Sequence, residues 1–233
     1  MRTVIALRSA SLAGWSWAAT LLYAPMVAVV AAGWPRPYRV AVNHVGDLGA
    51  TACEQLTEIG GSDRYVCSPW HLTWMIATVA LGIATAVGAL AWSMRAQPLL
   101  RAGCVLLVVA AVALVIGAVT PVNVDPGTHD AAEVLRWAAQ LLGMVFVAVA
   151  LPQRAIRIWT GVCAGLSAIG GWALYSAPGL GFGAGLEERV AFDTLVLWTG
   201  VTGLLVLCGM LDRPAGTTGS AGTGRRIPAH ARG

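Results

Sequence analysis

Residues 102–119 read AGCVLLVVAAVALVIGAV, eighteen positions in a row without a charged, amide or hydroxyl side chain. As an α-helix rising 1.5 Å per residue, such a run is about 27 Å long. The hydrocarbon core of a bilayer is ~30 Å thick and takes about 20 apolar residues to cross. On either side lie five more apolar stretches of that scale, at about 11–33, 70–92, 134–151, 158–176 and 191–211. The segments between them alternate in charge. Arg95 and Arg101 precede the quoted run, and with Arg2, Arg8, Arg154, Arg157, Arg213, Arg225, Arg226 and Arg232 they fall on one side of the alternation. Of the eleven acidic residues only Asp212 shares that side, whereas the other side carries ten acids and five arginines. Arginine accumulates in short cytoplasmic loops. The chain therefore reads as an all-α polytopic integral membrane protein, a six-helix transmembrane bundle in the cell membrane with both termini cytoplasmic.

Composition agrees: 57% of residues are hydrophobic, 11% are charged, and the mean hydropathy is +0.71. Little chain is left once six spans are subtracted, so a single membrane domain is expected over 1–211, with one longer external loop at 34–69. The remainder, 212–233, is rich in Gly, Thr, Ala and Pro and is expected to be a disordered cytoplasmic tail. The net charge of +4 comes from scattered arginines with no basic run. Attraction to anionic lipid headgroups explains it better than nucleic acid, which is excluded as a partner. Lysine is absent and Ala, Val, Gly and Arg abound, the composition of a bacterium with a GC-rich genome. The first stretch is longer than the ~7–15 apolar residues of a cleavable signal peptide and reads as an uncleaved anchor, bent at Pro25.

Cys104, Cys163 and Cys208 fall inside spans and read as small apolar core residues. Cys53 and Cys67 share the external loop, where an oxidising environment lets a disulfide persist. Spans in lipid associate through small residues, and the candidates are the Gly161-to-Gly165 step and the Ala84 and Gly88 pair. Trp15, Trp34, Trp70, Trp92, Trp137 and Trp159 lie near predicted span ends, where amphipathic rings anchor at headgroup level.

Chemistry, if present, belongs to the external turns. They read Pro35-Arg36-Pro37-Tyr38 and Val42-Asn43-His44-Val45-Gly46-Asp47-Leu48-Gly49; then Thr120-Pro121 through His129-Asp130; then Gly185-Leu186-Glu187-Glu188-Arg189. In Tyr38, Asp47-Leu48-Gly49, Pro121, His129 and Arg189, in that order and placed alike relative to the spans, the chain resembles family 998 of the domains of unknown function, six-helix bacterial and archaeal membrane proteins. The resemblance covers about 10–211. It implies the six-helix fold and a set of positions but no reaction. Gly46 stands where that family usually has Ser.

His129, Glu133, Arg136 and Gln140 are spaced i, i+4, i+7 and i+11, one stripe of the fourth span. Arg189 and Asp193 share a face at the start of the sixth. A charge in hydrocarbon costs at least ~2.5 kcal/mol, so Arg136 is expected to face the bundle and to find Glu133 or Asp193. Two readings stay open. In one, Tyr38, Asp47, His129, Glu133, Arg136, Arg189 and Asp193 form a polar lock clamping the fourth and sixth spans to the Asp47 loop. In the other they line an outward pocket for an outer-leaflet lipid or small amphiphile. An accessory, lipid-interacting role leads. Alternatives are an acid-base enzyme acting on a lipid or isoprenoid through Asp47, His129, Glu133 and Asp193, and a small-molecule transporter. His44 and His129 are the weak candidates for a metal, and neither a metal nor a cofactor is expected, since their carboxylate spacings are common by chance.

Overall fold

The computed structural model describes residues 2–57, 63–94, 97–176 and 180–211, the side chains of 2–7 aside. Among the described residues, six helical units are long and apolar enough to cross a membrane, which suggests a multi-pass membrane protein. The first unit is built from α1 (Arg2–Ala18), a 3-10 turn (Ala19–Leu22) and α2 (Tyr23–Ala32). The others are α3 (His71–Ser93), α4 (Pro98–Val119), α5 (Pro126–Ala150), α6 (Arg154–Tyr175) and α7 (Ala184–Leu207). The tightened turn lies just before Pro25, whose missing N–H frees the carbonyl four residues earlier, at Leu21. The expected tail, 212–233, lies outside the described residues, as does Arg95.

Each unit packs on its sequence neighbours and α7 closes on α1, so the chain makes a ring. At its centre Trp17, Leu107, Met144, Ile156, Leu195 and Trp198 are fully buried. The two buried indoles find acceptors, Trp17 Nε1 donating to Thr85 O at 3.1 Å and Trp198 Nε1 to Thr160 Oγ1 at 2.9 Å. Large aliphatics such as Ile76, Ile83, Val105, Val112, Leu142 and Val162 cover the outside instead.

Small residues set the closest approaches, though not all of those expected. A Cβ on Gly103 would lie 2.9 Å from Gly143 O, which is why α4 and α5 pack most intimately. Gly88 likewise leaves room for the Trp17 ring. Gly161 and Gly165, by contrast, have nothing within 4 Å of where a Cβ would be, so this step faces away from the bundle and joins no pair of helices within the chain. The tryptophans also divide: Trp15 and Trp70 are exposed, whereas Trp34 and Trp92 are buried. Trp137 is half-buried against α6 and donates to Ser167 Oγ at 3.1 Å. Cys104 and Cys163 are buried, but Cys208 sits just past the end of α7 and is exposed.

The connection between α2 and α3 is the largest of the ring. Cys53 and Cys67 are joined by a disulfide, and inside it lies a short antiparallel hairpin, β1 (Glu54–Leu56) with β2 (Arg64–Val66), in the register Glu54 opposite Val66. A small core of Val30, Trp34, Val45, Leu48, Val66 and Trp74 fastens this loop to α2 and α3.

Candidate functional site

The site begins with how α5 starts. Asp125 is its N-cap and accepts from Thr128 N at 3.0 Å, with Pro126 opening the first turn. Hydrogen bonds from the Thr128 side chain and backbone hold the Asp125 carboxyl below its ordinary value. One turn in, His129 Nδ1 lies 3.1 Å from Gly117 O and 2.9 Å from Thr120 O. Carbonyl oxygens only accept, so Nδ1 carries a proton, and in the neutral ring the lone pair is on Nε2. Nε2 faces Gly46: a Cβ there would sit 2.9 Å from it. Glycine at position 46 is therefore what lets the imidazole close on the loop.

One and two turns further lie Glu133 and Arg136. Glu133 fits against Gly117, where a Cβ would approach Oε1 to 2.8 Å. Its Oε2 receives Arg136 Nη1 at 2.9 Å. Arg136 is 7% exposed, its guanidinium lies 5.0 Å from the Phe192 ring centre, and its Nε has no hydrogen-bond partner. Gln140, last of the stripe, is a structural tie that donates to Leu195 O and Thr199 Oγ1 on α7.

The loop residues form a separate knot. Asp47 is fully buried; Arg64 Nε donates to its two carboxylate oxygens at 3.0 and 2.9 Å, and His44 N donates to Oδ2 at 2.9 Å. Buried Asn43 braces the same turn, accepting from Arg39 N and donating to Tyr65 O. Tyr38 donates to His44 O at 2.7 Å and accepts from Arg189 Nη2. Burial raises the Tyr38 phenol above its ordinary value, so it stays a neutral donor.

The start of α7 meets this knot. Glu188 accepts from the backbone N–H groups of Val45 and Gly46, and Glu187 accepts from Leu180 N at 2.8 Å. Asp193 receives Tyr23 Oη at 2.7 Å. The expected choice for Arg136 thus falls to Glu133, on its own helix, while Asp193 is held by a tyrosine of the first unit. The expected lock is likewise divided. α7 holds the loop through Glu188 and Arg189, and Asp47 is tied within the loop by Arg64.

Between knot and helices opens a cleft of about 650 Å³ walled by His44, Asp47, Arg64, His129, Glu133 and Glu188, with Phe192 and Tyr175 as its aromatic faces. It shares Gly46, His129, Glu133, Glu188 and Phe192 with a smaller inner pocket of about 40 Å³, which Arg136, Tyr23, Trp74 and Thr78 also line. Of the sequence-predicted residues, His129, Glu133 and Arg136 meet here. Asp47 contributes a carboxylate already saturated, and Tyr38, Arg189 and Asp193 support from behind. Among the described residues no group of three His, Cys, Asp or Glu side chains is arranged to hold a metal ion; His44 and His129 both border the cleft.

Glu188, Arg64 and Tyr23 were not singled out from sequence. Glu188 carried a signal, since it is one of a run of charges at the start of an otherwise apolar helix. Tyr23 carried a fainter one, the single tyrosine of the first apolar stretch, two residues before Pro25. Arg64 carried none, because loop pairings have no period.

No family model, no curated protein and no solved structure matches this chain.

Proposed function

We propose that the protein is a multi-pass membrane protein of the cell membrane, with both termini cytoplasmic, and that its outward cleft binds the polar head of a lipid or other amphiphile. Six apolar helices and an aliphatic exterior support insertion, and arginine asymmetry supports the orientation, with Arg8, Arg101, Arg154 and Arg157 all near the ends opposite the cleft. The ordered resemblance to family 998 fits the same arrangement and adds no reaction. The observation that carries the reading is a cleft walled by charged side chains at one end of an otherwise apolar bundle, leading to a buried arginine whose Nε has no partner among the described residues. Buried donors are nearly always satisfied, so one left open beside a cavity is poised for an acceptor brought from outside.

A second reading, an acid-base enzyme on a lipid or isoprenoid, draws on His129. Its Nδ1–H is held by two carbonyls while Nε2 lies against Gly46, in the wall that the cleft shares with Glu133, an arrangement that suits a general base.

Native mass spectrometry of the protein released from membranes tests the binding. Wild type is expected to retain an amphiphile that His129→Ala and Glu133→Gln lose by tenfold or more at temperatures where both variants remain folded. Equal retention by all three refutes the proposal. Conversion of the retained species on incubation, abolished by His129→Ala, would select the enzyme.

A further inference from the structure

We infer that the hydrocarbon chain of the bound amphiphile lies in a groove beside the 3-10 turn, and that its head reaches the inner pocket from the bilayer past Tyr23. The inference rests on the amphiphile-binding reading and adds which part of the fold seats the chain and what head it carries.

The groove, about 230 Å³, runs between the first helical unit and α3. It exists because Ala19, Ala77, Ala80 and Ala84 supply no bulk where the two helices face each other, and because the 3-10 turn is narrower than an α-helix. Its volume suits a segment of one chain rather than two. Leu22 on its rim is 69% exposed, so the groove is open along the side of the bundle that faces lipid in the proposed arrangement.

What distinguishes this groove from other apolar surface is what lies behind it. Tyr23, Trp74, Thr78 and Leu81 line both the groove and the inner pocket, so a single layer of side chains separates hydrocarbon from the polar interior. The Tyr23 ring leans on Trp74, centroids 5.9 Å apart, and its hydroxyl spans the layer to Asp193. Tyr23 is also the first residue after the 3-10 turn, where a short non-α segment interrupts the helix and gives it a hinge. Rotation of this one ring joins the two spaces.

On the far side waits Arg136, more than nine-tenths buried, which lines the pocket and whose Nε has no hydrogen-bond partner among the described residues. A guanidinium N–H takes an oxygen acceptor. The ligand is therefore a single-chain amphiphile whose head carries such an oxygen, an alcohol or a phosphate. The outer cleft supplies the head with water and with His129.

Two probes test this in the purified full-length protein: a twelve-carbon alcohol and the matching alkyl phosphate, each with a diazirine near the chain end, crosslinked by light and mapped by mass spectrometry. Adducts are expected within 19–26 and 77–84, from the alcohol, the phosphate or both, and to fall at least fivefold in Ala80→Trp. Ala77→Leu serves as the milder filler should the tryptophan disturb folding. Tyr23→Phe, which loses only the bond to Asp193, is expected to label at least twice as fast. Adducts at 134, 174 and 175 with none in the groove, or groove adducts indifferent to both fillers, overturn the chain seat while leaving head binding in the cleft intact. Groove adducts undiminished by His129→Ala and Glu133→Gln overturn the cleft reading itself, and with it the head's placement beside Arg136.

Discussion

Two clusters of charge share one end of this bundle, and they are finished to different degrees. In the loop knot both carboxylate oxygens of Asp47 have donors, Arg64 Nε giving to the two of them, and a disulfide and a small hairpin close around the pair. In the cleft, among the described residues, Glu133 accepts from one side-chain donor, Arg136 Nε has no acceptor, and His129 is held only through Nδ1. Saturation is what a structural charge needs, because an unpaired charge in a low dielectric is expensive. Groups left open at the wall of a cavity hold capacity for something else. Between the Asp47–Arg64 and Glu133–Arg136 pairs the contrast separates scaffold from site better than proximity does, since both pairs face the same space.

The largest effect that this contrast forecasts is in the knot. Asp47→Ala removes the carboxylate acceptor of the buried Arg64 Nε and of the His44 N–H, a loss of about 3–5 kcal/mol, which corresponds to about 10 °C in apparent Tm for a chain of this size. Asp47→Asn, which can still accept, is expected to fall between. Both should retain the amphiphile at temperatures where they remain folded. A melting series in mild detergent with Asp47→Ala equal to wild type would erase the distinction between the clusters, and loss of ligand by a folded Asp47→Asn would move Asp47 into the site.

A smaller effect is forecast for the cleft pair. Arg136→Leu leaves Glu133 without its cation, and because that carboxylate keeps some solvent contact the cost is about 2 kcal/mol. The double variant Arg136→Leu with Glu133→Leu is expected to recover about half of it, while Arg136→Leu with Asp193→Asn recovers nothing, since Asp193 is held by Tyr23. The reverse ranking would mean that Asp193 is the true counter-ion.

How much of this was legible beforehand follows from period. The quoted run 102–119 lies wholly within α4, because nothing polar interrupts it. The later helices start well before the apolar stretches that announced them: α5 at Pro126 where the stretch began at 134, and α7 at Ala184 where it began at 191. Hydropathy marks where hydrocarbon begins, whereas the helix begins at its cap, and the turns between are those that carry His129, Glu133, Glu188 and Arg189. The i, i+4, i+7 stripe on α5 was readable for the same reason that α5 is regular. Pairings across the loop were not. Arg64 with Asp47, and Glu188 with two backbone amides, depend on a chain path that no repeat encodes, and Tyr23 with Asp193 depends on which helices close the ring.

The finest test compares the cleft with its own support. Asp125 caps the helix that holds His129, Glu133 and Arg136, and its carboxyl titrates below the ordinary value because the charged form accepts from Thr128. A group whose folded value is lowered adds stability that is present above its unfolded value, about pH 3.9, and is lost as pH falls through the folded one. Asn at this position also caps a helix but does not titrate. Asp125→Asn should therefore melt slightly below wild type at pH 6, with the gap closing as pH falls below about 4. Every other carboxylate titrates equally in both proteins and drops out of the difference. Should the gap persist unchanged to pH 3, the Asp125 carboxylate is not what fixes the start of α5. The orientation of His129 would then rest on the Gly117 and Thr120 carbonyls alone.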